Sequence, residues 1–382
     1  MLLYWIWLAG RPNMHEREKL AVLARFGKAE DVYFAPEDAY PTVENLSQAA
    51  LADLRDKSLD AAQKILSDCT KRKISILTWQ DDTYPAKLRN IADPPLVLYY
   101  KGLLPDFDAD PMIGIVGTRK ASAYGRTVAE QMGREMAQGG GIVVSGMAEG
   151  VDGMATEGAL SWGKPAVGVL GCGVDRIYPI SNRKLFRKME QQGCLISEYP
   201  PGTPPSKWNF PRRNRIISGM SCGVLVVEAP VKSGALITAR QAMEQGRDVF
   251  VVPGNINTPS CAGSNALLRE GAVAALCGWD VLSEYESLYP GKIHRPETDG
   301  WKESDKKAVD KGPAPSYSDL ETAADLPGDE AVVLSRLKGG EQNIDELIAE
   351  ADLSAAAVLA ALTMLEVKGY VQTLPGRRVM KK

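Results

Sequence analysis

The hydrophobic pattern of the chain changes period three times. In residues 1–75 apolar positions recur at helical spacing, through Leu20, Leu23, Ala24 and Phe26 and again through Leu51, Leu54, Ala61, Ile65 and Leu66. Pro36 and Pro41 punctuate this helical module, and a stretch rich in proline and tyrosine, Thr78–Lys101, follows it. Short β-branched runs then appear at Met112–Val116, Gly141–Val144, Ala166–Leu170, Cys194–Ser197, Gly223–Val227 and Val249–Val252. Amphipathic stretches such as Val128–Met136, Leu236–Met243 and Ala266–Arg269 separate them. Apolar strands alternating with helices predict an α/β fold, a parallel sheet covered on both faces, with ligands at the carboxyl ends of the strands. From Ser287 to about Asp325 the chain turns polar, with Pro290, Pro296, Pro313 and Pro315, as a linker does. Ala331–Leu337, Ile344–Ala351 and Ala355–Lys368 then read as helices. Tyr370–Thr373, a Pro375-Gly376 turn and Arg378–Met380 read as a hairpin, which completes a winged helix. The expected division is 1–75, 76–286, 287–325 and 326–382.

Composition narrows the function without naming it. The 382 residues carry a net charge of −3, so any nucleic-acid surface must come from local clustering of cations. Six cysteines form no CxxC pair and the two histidines, His15 and His294, lie far apart. This pattern argues against a zinc site and a disulfide framework, and predicts reduced thiols in a cytoplasmic protein with no metal or cofactor. The apolar opening Met1–Ala9 lacks a basic start and stops at Arg11. It falls short of the roughly 20 residues needed to span a bilayer, so a buried first helix and no membrane partner are expected.

Two motifs imitate catalytic sites. Gly219-Met220-Ser221-Cys222-Gly223 matches a nucleophile elbow, but the elbow needs a strand before the serine and a helix after it, and here the order is reversed. No histidine lies nearby to act as base. Gly158–Pro165 nearly matches a P-loop, with Pro165 where the magnesium-binding hydroxyl belongs. Its Gly163 reads as a helix cap. Neither motif predicts an enzyme.

Binding chemistry is better represented. Gly117 sits at the bend after the first β-branched run, next to Arg119, and Ser145-Gly146 and Ser233-Gly234 follow the same scheme. Gly117, Ser145, Gly146 and Gly234 thus predict an anion-accepting rim of backbone amides. From Tyr199 through Val227 no acidic residue occurs, while Lys207, Arg212, Arg213 and Arg215 interleave with Trp208 and Phe210. Cations that track phosphates and aromatic faces that accept unstacked bases are the requirements for single-strand binding. The same run also fits a solvated basic helix start with Trp208 and Phe210 packed inward.

These residues carry a resemblance. Asn209–Ser221, flanked by Ser197-Glu198 and Val226–Ala229, is similar to the DNA-processing protein A family, also called Smf. So are Val116–Arg119, Ser145–Ala148, Gly171–Asp175 with Tyr178-Pro179, Ser233–Arg240 and Pro253-Gly254. The resemblance covers about residues 75–285. It implies an extended Rossmann domain, flanked by a small SAM-like helical module and a winged helix. By resemblance the protein binds single-stranded DNA, loads a RecA-type recombinase onto it during natural transformation, and works as a homodimer. Arg119, Lys207 and Phe210 occupy the family's DNA-contact positions, whereas Arg212, Arg213 and Arg215 are added on charge alone. Thr156 stands where the family usually has histidine. A rival reading is a nucleotide-processing Rossmann-like enzyme of the phosphoribohydrolase type, which Ser233-Gly234-Ala235 with Thr238 resembles loosely. A third would make the winged helix the DNA reader, although Ala355–Lys368 has Lys368 as its only base.

Overall fold

Strands buried on both faces need apolar side chains on both, and the β-branched runs supply them. The computed structural model describes residues 1–296, 328–337, 340–351, 353–374 and 377–381. Nine strands form one sheet: β1 Ser75–Thr78, β2 Val97–Gly102, β3 Met112–Val116, β4 Ile142–Ser145, β5 Ala166–Leu170, β6 Cys194–Ser197, β7 Gly223–Val226, β8 Asp248–Val251 and β9 Val273–Ala274. Their order is β1-β2-β6-β5-β4-β3-β7-β8-β9. β2 pairs antiparallel with β1 and β6, and all other pairs are parallel.

The strand order contains a reversal. From β3 the chain moves one way through β4, β5 and β6, then returns to the other side of β3 for β7, β8 and β9. Connections diverge there, leaving a crevice beyond the carboxyl ends of β3 and β7. Period-two alternation sends Ile113, Ile115, Val143, Leu225 and Phe250 into one apolar cluster, and Met112, Val116, Val144, Val224 and Val251 into the other. On the first face the helices Ala123–Gln138 and Val151–Ser161 approach closely: a Cβ on Gly158 or Gly133 would run into the facing helix's backbone at Glu130 or Ala155.

The N-terminal helices share this core. Trp7 and Leu8 of Leu2–Ala9, Val22 of Glu16–Phe26 and Leu54 of Gln48–Arg55 belong to the same cluster as Ile113 and Leu225. Residues Met1–Glu297 accordingly form one compact unit and Thr298–Lys382 a second. The second unit contains helices Gly328–Arg336, Ile344–Glu350 and Ala355–Val367 around Val333, Leu347, Val358, Leu365 and Val379. Its small sheet adds Glu341–Asn343 to the expected pair Val371–Leu374 and Arg378–Lys381, completing a winged helix. Of the linker expected over 287–325, residues 287–296 instead pack onto the first unit, with Tyr289 and Ile293 buried and the His294 amide donating to Gly139 O at 3.1 Å, while 297–325 and the Pro375-Gly376 turn lie outside the described residues. Among the described residues no single helix is long and apolar enough to cross a membrane.

Candidate nucleic-acid interface

A cleft of about 530 Å³ opens at the strand-order reversal, a volume typical of ligand sites. Val116–Arg119 at the end of β3, Ala148 and Asp152 after β4, and Pro230 and Lys232–Ala235 after β7 form its floor. Phe210, Arg213, Asn214 and Ile217 form one wall from the helix Asn209–Met220, at the i, i+3, i+4, i+7 spacing that aligns residues on one helical face. Four cations, Arg119, Lys207, Arg213 and Lys232, line the cleft against one carboxylate, Asp152.

Three helices start at this edge, and their amides are not equally available. Ala123–Gln138 is capped by Ser122, whose amide and hydroxyl both donate to Glu228 Oε2, at 3.0 and 3.1 Å. The anion at that helix start is therefore the protein's own Glu228, which is buried. Val151–Ser161 carries Asp152 in its first turn, and Gly146 donates its amide to Asp152 Oδ2 at 3.1 Å. Gly234–Glu244 differs. It has no acidic residue in its first turn, Gly234 is exposed, and a Cβ there would meet nothing within 4 Å. This start is open to an external anion.

The expected rim is thus reduced to Gly234, because the Gly117 amide, like that of Gly146, donates to Asp152. Gly117 and Gly234 line the cleft, while Ser145 is fully buried with its hydroxyl donating to Ile115 O at 2.7 Å. Gly146 spends its amide on Asp152 and its carbonyl on Arg213.

The basic run divides in the same way. Arg119 and Lys207 are exposed at the cleft. Arg213 is only 4% exposed and donates to the carbonyls of Gly146 and Val169 and to Asn214 Oδ1. Burial pushes its guanidinium down to about 10, and Asp152 pulls in the opposite direction. Arg212 turns away from the cleft to Glu16, at 2.8 Å, and Glu198, at 3.3 Å. Arg215, also buried, is held by Glu198 at 2.6 Å and Asp93 at 3.0 Å. The phosphate role expected of Arg213 and Arg215 does not survive this placement, because their guanidinium groups are buried against partners inside the fold, whereas Arg212 stays exposed outside the cleft, paired with Glu16 and Glu198.

Phe210 lines the cleft half-buried, with Tyr178 stacked on it at 5.4 Å and 29° and the Arg119 guanidinium 5.1 Å from its centroid. Tyr178, Lys232 and Asn214 are cleft residues that the sequence reading missed. Each lies beside a motif it did use: Tyr178 in the block after Gly171, Lys232 before Ser233-Gly234, and Asn214 four residues after Phe210 on the same helical face.

The catalytic imitations resolve structurally. Ser221 is fully buried between a helix and β7, donating to Ile217 O at 2.8 Å. Gly163 follows the helix Val151–Ser161 with φ +79° and leads into β5.

Comparison with known proteins converges on one family. Residues 75–286 match the model described as DNA recombination-mediator protein A, and residues 318–377 match the DprA winged helix domain. The chain is 38% identical over 266 residues to the DNA processing protein DprA of Bacillus subtilis, covering 69% of this chain and 90% of that protein. The X-ray structure of DNA processing protein A from Streptococcus pneumoniae is similar with a TM-score of 0.66 and 32% identity, over 74% of this chain and 98% of that one. A structure of DNA processing protein A from Helicobacter pylori, described as giving insight into that protein's unique single-stranded DNA binding mode, gives 0.52 and 31% over 57% of this chain and 97% of that one. The chain belongs to the DNA recombination-mediator protein A family.

Proposed function

We propose that the cleft holds single-stranded DNA, and that the protein protects the strand and delivers it to a RecA-type recombinase in the cytoplasm during natural transformation. One observation carries the reading. At the strand-order reversal, exposed cations Arg119, Lys207 and Lys232 surround the open helix start at Gly234, beside the aromatic pair Phe210 and Tyr178. Phosphates fit the cations and the open helix start at Gly234, and an unpaired base fits the aromatic wall. The single-stranded DNA binding described for the Helicobacter pylori protein supports the same ligand. The edge strand β9 leaves Val273 48% and Leu276 74% exposed, which supports a second copy there and a working homodimer.

A duplex keeps its bases stacked and cannot use the aromatic wall. Fluorescence anisotropy with one sequence, offered single-stranded and as a blunt duplex at equal salt, is expected to give tighter binding of the single strand. Equal affinities would count against the cleft as the site.

A further inference from the structure

We infer that Trp208 is an outer stacking platform for a second nucleobase, adjacent on the strand to the one taken into the cleft. The inference deepens the single-strand reading above and rests on it.

Trp208 is 75% exposed and stands immediately before the helix Asn209–Met220, between the cleft residues Lys207 and Phe210. In the N-terminal helix the same side chain is buried, Trp5 at 5% and Trp7 at 1%. A solitary exposed aromatic needs no explanation by itself, and Trp162, at 54%, is one. Three observations set Trp208 apart. The Lys207 ammonium lies 4.9 Å from its ring centroid, so a cation backs the ring while most of its surface remains open. The inner aromatic is by contrast engaged. Tyr178 stacks on Phe210, Arg119 lies over its ring, and a Cβ on Gly171 would come within 2.8 Å of its Cδ1. Finally, no carboxylate occurs in residues 199–227, and Glu198 just before them is held by Arg212 and Arg215. A phosphate arriving at Trp208 therefore meets Lys207 and no competing acid from its own segment.

Spacing permits one strand to use both rings. Two residues span at most about 7 Å of extended chain, so the Trp208 and Phe210 backbones are close enough for neighbouring nucleotides. Stacking on Trp208 is indifferent to base identity because every base has a π-face.

The test uses the full chain and a series of labelled oligothymidylates of increasing length, read by anisotropy at fixed salt. Wild type is expected to gain affinity in a step once the oligonucleotide is long enough to leave the cleft. Trp208→Ala is expected to lose that step, weakening the longer oligonucleotides about 5- to 150-fold while the shortest bind as before. Trp208→Phe retains most of the step, since a ring remains. Tryptophan emission quenched by saturating oligonucleotide in wild type is expected to be largely lost in Trp208→Phe. Wild-type affinity of Trp208→Ala for every length would overturn the inference alone. A loss equal at all lengths would place Trp208 inside the cleft site and overturn the outer platform. No binding by wild type would overturn the cleft reading with it.

Discussion

Arg119 and Arg213 border the same cleft, and only one is free to meet a ligand. Arg119 is exposed, with its guanidinium over Phe210, whereas Arg213 is desolvated and committed to two backbone carbonyls and Asn214. Replacing each with alanine should therefore have opposite signatures. Arg119→Ala is expected to flatten the logarithmic salt dependence of single-strand binding by about 0.7, one released counterion contact, with an unchanged melting temperature. Arg213→Ala leaves Asp152 buried without its opposing charge, and is expected to cost about 3–5 kcal/mol of stability in thermal or denaturant melts. A destabilised Arg119→Ala with an unaltered salt slope would reverse the assignment. In the sequence Arg119 stands out by following the glycine bend after β3, and Lys207 and Phe210 by their place in the basic-aromatic run; their roles toward DNA came from the resemblance. The sequence did not separate Arg212, Arg213 and Arg215 from them, because their partners Glu16, Asp93 and Asp152 are distant along the chain. A helical reading of the run would have helped: 210, 213, 214 and 217 share the cleft face, and 212 and 215 share Glu198.

At the scale of elements, the parallel strands were readable because they are short continuous apolar runs, and β3 and β5 match the expected bounds. β1 and β2 were not. β1 is short and starts exposed at Ser75, and β2, although Leu96–Tyr99 is a buried apolar run, lies in a stretch whose prolines and tyrosines read as a transition. β9, two residues long and exposed, leaves no periodic signal at all. The N-terminal helices are joined by a polar contact that helical periodicity cannot reveal. Glu18 accepts from the His15 amide at 2.7 Å, within its own helix start, and from the Ser47 amide at 2.8 Å, at the cap of the helix Gln48–Arg55. Burial raises its carboxyl, but the Ser47 and His15 amides outweigh this and hold it below the ordinary 4.5. The depressed folded value means that the unfolded chain binds more protons below pH 4.5. The stabilisation is present above that pH and lost as pH falls through the folded value. Glu18→Gln is expected to cost about 1.5–3 kcal/mol at pH 7, the range for hydrogen bonds to a charged group. Melts from pH 7 down to pH 3 should show the gap between variant and wild type narrowing. A constant gap across that range would mean that charge on Glu18 contributes nothing.

For the whole molecule the question is which unit holds the strand. The winged helix was legible as three helices and a hairpin, and two arginines of its wing are paired within the unit. Arg377 pairs with Asp345 at 2.8 Å and Arg378 with Glu341 at 3.0 Å. The helix Ala355–Val367, which would enter a groove in a DNA reader, instead exposes Leu359 at 42% and Met364 at 45%. Apolar contacts of this kind cannot read a base edge by hydrogen bonding, and phosphates have little to hold there. Every component of the proposed site, from Arg119 to Gly234, belongs instead to the unit Met1–Glu297, which has two apolar clusters of its own. A chain ending at Pro296 is therefore expected to fold and to keep most of its single-strand affinity. Its salt slope should fall by no more than about 0.7, the effect of one lost phosphate contact such as Lys381. Salt titrations of the shortened and full chains on one oligonucleotide, with circular dichroism to verify folding, provide the comparison. If the shortened chain folds but its affinity collapses with a slope change of several contacts, the strand is held by the winged unit and not by the cleft.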